Sequence, residues 1–171
     1  VVLTDVYQGL EGIERGEIKY LRVMEQVPRP WTARRFWKDD IALGQHAPIS
    51  LYAHIFVKVH HGIVPVEKDG SAHFTVPADR NIFFQALDKN LMEVQRMRTF
   101  VNFEPGERRG CIGCHEHRSE APAVRFATAL QRAPRPLAAQ PGETAPRPLY
   151  YPSDVQPLLD RHCTECHDGR E

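Results

Sequence analysis

Residues 54–77, HIFVKVHHGIVPVEKDGSAHFTVP, indicate the fold class of this chain. On both sides of a central turn, apolar residues stand at every second position: Ile55, Val57, Val59, Ala72, Phe74 and Val76. A period of two is typical of a half-buried β-strand. The Asp69-Gly70 pair between the two runs is a hairpin signal. We therefore predict two strands joined by a tight turn.

Three further segments have strand character, and turn residues separate them: GEIKYLRVMEQV (16–27), NIFFQAL (81–87) and EVQRMRTFVNF (93–103). Several short strands with Gly and Pro between them favour two packed sheets. The fold class predicted from the sequence is therefore mainly β. A small β-sandwich-like domain spans residues 1–120.

The composition changes after about residue 120. Residues 121–152 are rich in Pro and Ala and predict a semi-rigid linker, because proline fixes φ, although AVRFATALQRA could form a short helix. Residues 153–171 then predict a short helix, with Ser153 or Asp154 as its N-cap. Its apolar face follows helical spacing and leads into a cysteine: Val155, Leu158, Leu159 and His162. We expect this last module to be a trimmed piece of a longer chain.

All four cysteines fall in two Cys-x-x-Cys-His motifs, which are the attachment signature of c-type haem. The two thiols reach the vinyl groups of one porphyrin, and the following His ligates its iron. We therefore predict two covalently bound haem c groups, with His115 and His167 as the proximal iron ligands. The residues that would hold them are Cys111, Cys114, His115, Cys163, Cys166 and His167. The predicted first module is then a β domain carrying one haem, and the last a helical haem module.

Two other uses of these cysteines are a zinc site and a thiol redox site. Zinc ribbons separate their cysteine pairs by roughly 15–20 residues, whereas the gap between Cys114 and Cys163 is far longer and crosses the proline-rich segment. A thiol redox site does not require a His after each pair. Both alternatives explain the sequence less well than haem does.

The second axial ligand of each iron must come from elsewhere in the fold or from another subunit. The candidate distal ligands are His60, His61, His54 and His46. Alternation along a strand directs His60 and His61 to opposite faces, so only one of them can face a given haem. The methionines are expected in the core or at its edge. The arginines beside the motifs fit either haem propionates or solvated turns: Arg108, Arg109, Arg118, Arg161 and Arg170.

Charge and hydropathy limit the partners. The formal net charge is +0, which gives no electrostatic case for nucleic acid or an anionic membrane. No apolar run approaches the roughly 20 residues of a membrane helix, so we expect no transmembrane segment. Attachment of haem c takes place outside the cytoplasm, and this predicts a periplasmic or extracellular location.

Two segments are familiar as sequences: IVPVEKDGSAHFTVPADRNIFFQALD (63–88) and MEVQRMRTFVNFEPGERRGCIGCHE (92–116). They resemble the haem-bearing middle domain of hydrazine synthase alpha-subunit-like multihaem cytochromes. VYQGLEGIERGEIKYLRV (6–23) is similar to the same domain, and YPSDVQPLLDRHCTECHDG (151–169) resembles the start of the haem module that follows it. The resemblance implies hydrazine formation from nitric oxide and ammonium in a multisubunit complex. It also implies an axial Tyr shortly after the first motif, where this chain has EHRSE (116–120).

The leading prediction is a dihaem c-type cytochrome for extracytoplasmic electron transfer, either alone or within a larger haem assembly or filament. Its partners are redox proteins and further copies of the chain. The sequence shows no convergent acid, base or nucleophile, and this favours electron transfer over catalysis. The alternative is a haem-containing part of a hydrazine-synthase-like enzyme, with an open catalytic haem at Cys111–His115.

Overall fold

The computed structural model describes residues 1–27, 58–114, 119, 125–145, 147 and 150–167. Seven strands come first: β1 Val2–Leu3, β2 Tyr20–Gln26, β3 Lys58–Pro65, β4 Ala72–His73, β5 Ile82–Leu87, β6 Glu93–Arg96 and β7 Gly110–Cys111. The helical elements follow: a 3-10 helix at Thr128–Gln131, a π-helical turn at Tyr151–Val155 and helix α1 at Gln156–His162. The predicted strands around 16–27, 81–87 and 93–103 are confirmed as β2, β5 and the shorter β6. The predicted strand positions 55–57 lie outside the described residues.

The larger sheet has four antiparallel strands in the order β3-β2-β5-β6. On β2, Leu21 and Val23 point to one face, and their partners on β5 are Ala86 and Phe84. The intervening residues point to the opposite face, because successive side chains alternate across a strand. The four named residues lie on the core side of the sheet and form one apolar surface for the second sheet.

The smaller sheet has three short strands in the order β4-β1-β7. Strand β1 pairs antiparallel with β4 and parallel with β7, so that Leu3 lies opposite Cys111. This pairing brings the first Cys-x-x-Cys-His motif to the start of the chain. The smaller sheet therefore positions the motif.

One hydrophobic core joins the two sheets. It includes Leu3 from β1, Leu21 from β2 and Ile82 from β5, all at most 5% exposed. Phe74, just after β4, meets Phe84 of β5 edge to face, with ring centroids 5.6 Å apart, a favoured aromatic geometry. The predicted mainly β class is confirmed, and the two packed sheets account for the sandwich-like character.

The Asp69-Gly70 pair forms a tight turn, but the predicted hairpin is wrong. Gly70 N–H donates to the Glu67 carbonyl, 2.9 Å away, and Gly70 has a φ of 87°. The strands on either side do not pair with each other: β3 pairs with β2, and β4 pairs with β1. The turn therefore passes the chain from one sheet to the other. Local turn chemistry predicted the bend, whereas strand pairing depends on distant residues.

Part of the proline-rich segment packs on the β domain. Ala138 forms a bridge with Ile63 of β3, and Arg135 forms one beside Phe74. The 3-10 helix is capped from outside: the Asp69 carboxylate accepts the Thr128 N–H at 2.7 Å, and Ser71 Oγ accepts the Ala129 N–H at 3.0 Å. The division of the chain at 120 and 152 stays a prediction. In the predicted linker, residues 127–138 contact both sheets.

The last described segment is helical, as predicted, but α1 begins at Gln156 and not directly after Ser153 or Asp154. Neither Ser153 nor Asp154 caps α1 through its side chain. Instead, the Asp154 carboxylate accepts two hydrogen bonds from the Arg147 guanidinium, at 2.7 and 2.8 Å. These bonds and the one from the Tyr150 N–H lower the pKa of Asp154 to about 2. The apolar face of α1 is exposed, with Leu158 at 54%.

Candidate haem site

The first Cys-x-x-Cys loop is held by the N-terminal segment. Thr4 N–H donates to the Cys111 carbonyl at 2.9 Å, and Asp5 N–H donates to the Ile112 carbonyl at 3.2 Å. The Thr4 hydroxyl also donates to the Ile112 carbonyl at 3.0 Å. The loop backbone is therefore fixed from outside, as the attachment of a rigid porphyrin through two thiols requires.

Gly113 lets this loop approach the N-terminal segment closely. A Cβ at this position would overlap the Gln8 carbonyl and its Cβ. The two flanking thiols, Cys111 and Cys114, are half-buried. A side chain at 113 would move both of them.

A cavity of about 710 Å³ opens beside these two cysteines, between the sheets. Its apolar walls come from both sheets and the loops between them: Val1, Leu3, Leu21, Phe74, Phe84 and Val101. Cofactor sites are concave, mostly apolar and roughly 300–1,000 Å³ in volume. A cavity with two thiols at one wall and apolar side chains around it therefore fits a haem held by thioether bonds.

Two residues of the cavity, Met97 and Arg98, were not assigned to a site from the sequence. The Met97 N–H donates to the Phe84 carbonyl at 3.0 Å, which places Met97 beside a core-side residue of β5. Gln95 pairs with Ala86 and also lines the cavity. The strand character of 93–103 did not show which residues face the core, and the face could be assigned only once β6 was paired with β5.

The arginines divide between two cavities. Arg96 and Arg98 line the cavity at Cys111 and Cys114. Arg108 and Arg109 instead line a second cavity of about 670 Å³ on the other side of β1 and β7. Arg109 donates from Nε to Glu107 at 2.6 Å and lies over the Phe103 ring, 4.9 Å from its centroid. Arg118 and Arg170 lie outside the described residues, and Arg161 is an exposed residue of α1.

His60 lies on the face of the larger sheet that points away from the cysteine cavity. It pairs with Met24, three residues from Leu21 on β2, and Leu21 lines the cavity. His60 is 3% exposed, and its Nδ1 lies 3.4 Å from Glu143 Oε2. Burial lowers the pKa of His60, an effect that Glu143 partly opposes. The structure therefore does not bring His60 to Cys111 and Cys114.

His61 points to the opposite face, as alternation predicted. Its Nε2 is 2.7 Å from Glu25 Oε2, and Glu25 is buried. His61 is not among the residues that line the cavity. His46, His54 and the proximal His115 lie outside the described residues. The assignment of distal ligands stays a prediction.

The second motif continues from α1 as a turn on the surface. The Cys163 N–H donates to the Leu159 carbonyl at 2.8 Å, and the His167 N–H donates to the Cys163 carbonyl at 2.9 Å. The side chains of Cys163, Cys166 and His167 are exposed. Over the described residues, no three His, Cys, Asp or Glu side chains meet in a metal-binding group, so the two cysteine pairs do not form one zinc cluster there.

The fold and this site define a mainly β domain with a Cys-x-x-Cys loop beside an apolar cavity. The family model of the hydrazine synthase alpha subunit middle domain matches residues 16–116, more than half of the chain, and the chain belongs to this family. The family predicted from the sequence is thereby confirmed.

Among solved structures, the chain is similar to a Kuenenia stuttgartiensis hydrazine synthase chain, with a TM-score of 0.67 at 20% identity. The match covers 96% of this chain and 28% of that one, so the present chain corresponds to just over a quarter of its length. No curated protein matches the sequence. Every helix in the described ranges is too short or too polar to cross a bilayer.

Proposed function

We propose that this chain is the haem-carrying part of a hydrazine-synthase-like alpha subunit, with a catalytic haem c at Cys111, Cys114 and His115. The observation that carries the proposal is the apolar cavity directly beside both thiols of the first motif. Membership in the alpha-subunit family supports it. If electron transfer were the only function of the chain, an apolar cavity beside the thiols would have a less direct explanation.

The residues of the chain would hold the group in a defined way. Cys111 and Cys114 would hold the porphyrin through two thioether bonds, each thiol adding across one vinyl group with its hydrogen passing to the vinyl carbon, so that no oxidant would be required. The apolar walls from both sheets would pack against the porphyrin. A haem c held there supplies an iron that cycles between Fe(III) and Fe(II) and binds small ligands.

The cavity would leave a haem held there accessible to a small molecule. No histidine lines the cavity among the described residues, and the candidate His60 lies behind the sheet. The other candidate on β3, His61, has its Nε2 hydrogen-bonded to Glu25. An open position is what a reaction at the iron requires.

The second motif is proposed to carry an electron-transfer haem c. Cys163, Cys166 and His167 lie exposed on a surface turn, and Leu158 beside them is 54% exposed. An exposed haem edge suits exchange with a redox partner protein in a larger extracytoplasmic complex. This part of the proposal retains electron transfer as one function of the chain.

Spectroscopy of the full chain, expressed with the haem c attachment machinery, tests the proposal. We expect two haems per chain, one ferric haem high-spin, and CO binding by only that haem after reduction. Cys111→Ala with Cys114→Ala should remove the CO-binding haem, and Cys163→Ala with Cys166→Ala should leave it. Two low-spin haems that do not bind CO would contradict the catalytic assignment, and a haem-free chain would contradict the whole proposal.

A further inference from the structure

Arg98 is a cation at an apolar cavity with no ion-pair partner in the described part of the chain. It lines the cavity at Cys111 and Cys114 together with Thr99. The ion pairs of the neighbouring described arginines join Arg96 to Glu93 and Arg109 to Glu107, and neither involves Arg98. The other two arginines that precede the motif most closely, Arg108 and Arg109, line a different cavity.

An apolar cavity that takes a haem must also satisfy the two carboxylates of its propionates. A carboxylate next to apolar walls loses hydration and requires a cation or several hydrogen-bond donors. The planar guanidinium of arginine matches a carboxylate with two parallel hydrogen bonds. Arg98 is placed to provide them.

We propose that Arg98 binds a propionate carboxylate of the haem held at Cys111 and Cys114, which rests on the haem site proposed above. Arg98 was not among the arginines considered from the sequence, which fit either haem propionates or solvated turns. Arg109 already has other partners. Its Nε donates a hydrogen bond to Glu107 at 2.6 Å, and its guanidinium lies over the Phe103 ring.

Arg96 provides a close comparison. It also lines the cavity, but its Nε lies 3.5 Å from Glu93 Oε1. It pairs with Gln85, which lies between the core-side residues Phe84 and Ala86 on β5 and therefore faces away from the core. The two arginines are thus close in sequence and equal in charge, and they differ in that Arg96 has an ion-pair partner, Glu93.

The test is the midpoint potential of each haem in the intact two-haem chain. Replacing Arg98 by Ala removes a positive charge beside a propionate, which favours Fe(III). We therefore expect the potential of the first haem to fall in R98A, to fall less in R98K, and to shift to a smaller extent in R96A. The second haem should keep its potential in all three variants.

The pH dependence of the first potential gives a second readout. Without the guanidinium, the propionate should protonate at higher pH, so the pH-dependent range of the potential should move upward in R98A. If R98A loses the first haem while its circular dichroism is unchanged and R96A retains it, the assignment is also supported.

Equal potentials in wild type and R98A, or equal shifts in R98A and R96A, would overturn the assignment. If R98A does not fold, R98K decides by the same comparison. If the wild-type protein carries haem at the first motif and the potential of that haem does not change when Arg98 is replaced, only this inference is refuted. A wild-type chain without haem at that motif refutes the proposed function itself.

Discussion

His60 and Glu143 meet behind the four-stranded sheet, with His60 Nδ1 3.4 Å from Glu143 Oε2. The Gln140 side chain accepts a hydrogen bond from Arg22 at 2.6 Å next to them. These polar contacts hold Gln140 and Glu143 of the proline-rich segment against β2 and β3. His60 is thereby buried, and none of the described residues forms a hydrogen bond with its Nε2.

The burial of His60 predicts a loss of stability in mild acid. Burial lowers the pKa of His60 below its ordinary 6.5, Arg22 and His61 act in the same direction, and Glu143 opposes them. The unfolded chain therefore binds a proton at a higher pH than the folded chain does. The free energy of unfolding should decrease as the pH falls below about 6.5. Urea titrations at pH values from about 7.5 to about 5, the range in which histidine titrates, measure the slope of the free energy of unfolding against pH.

His60→Gln should reduce that slope, because glutamine does not titrate. His73→Gln provides the control, since His73 lies on β4 of the other sheet and is hydrogen-bonded to the Arg132 carbonyl. An equal slope in wild type and His60→Gln would show that another group controls acid stability.

Gly113→Ala should impair attachment of the first haem. The added methyl group overlaps the Gln8 backbone, so the loop with Cys111 and Cys114 must shift. We expect a lower haem content at the first motif, measured by mass spectrometry of the peptides, and unchanged content at the second. Gly110→Ala is the matched control, because nothing lies within 4 Å of its added Cβ. Normal attachment in Gly113→Ala would mean that the loop tolerates the displacement.

Met97→Ala tests whether the cavity haem is open. Met97 lines the cavity, and a thioether is a possible iron ligand. If the face opposite His115 is open, the ferric spin state and CO binding should be the same in wild type and Met97→Ala. Met92→Ala is the control, since Met92 is 66% exposed. A change from low-spin wild type to high-spin Met97→Ala would instead identify Met97 as the sixth ligand.

Asp69→Ala should destabilise the domain by about 1 kcal/mol, the usual effect of losing a helix cap. Burial alone would raise the pKa of Asp69, but hydrogen bonds from Ser71 and Thr128 lower it from 3.8 to about 2. Its stabilising effect is therefore complete above pH 3.8 and lost as the pH falls through about 2. Asp69→Asn should flatten the acid branch of the stability curve. Lys68→Ala, an exposed neighbour, should leave both measurements unchanged.

The longer strands were predictable because their signal is local. The apolar content of β2 and β5 and the turn residues that flank them marked both strands to within a few residues. The two-residue strands β1 and β7 gave no such signal. Their pairing is decided by residues on opposite ends of the domain. The same limit explains the wrong hairpin at Asp69-Gly70, where the turn formed and the pairing did not.

The candidate site was predictable in its chemistry and less so in its surroundings. The cysteine spacing alone indicated haem attachment at Cys111 and Cys114. Which side chains surround them depends on the pairing of β6 with β5, so Met97 and Arg98 could not be assigned. Likewise, proline content predicted an extended segment but not that Ala138 would form a bridge with Ile63.

The hydrogen bond from Thr4 to the Ile112 carbonyl joins residues 108 positions apart in the chain. Closing so long a loop is slow, because its entropic cost precedes the contacts that reward it. The helix before Cys163 closes over only four residues. The geometry of the second motif therefore depends on contacts within a few residues, whereas that of the first depends on contacts between the two ends of its domain.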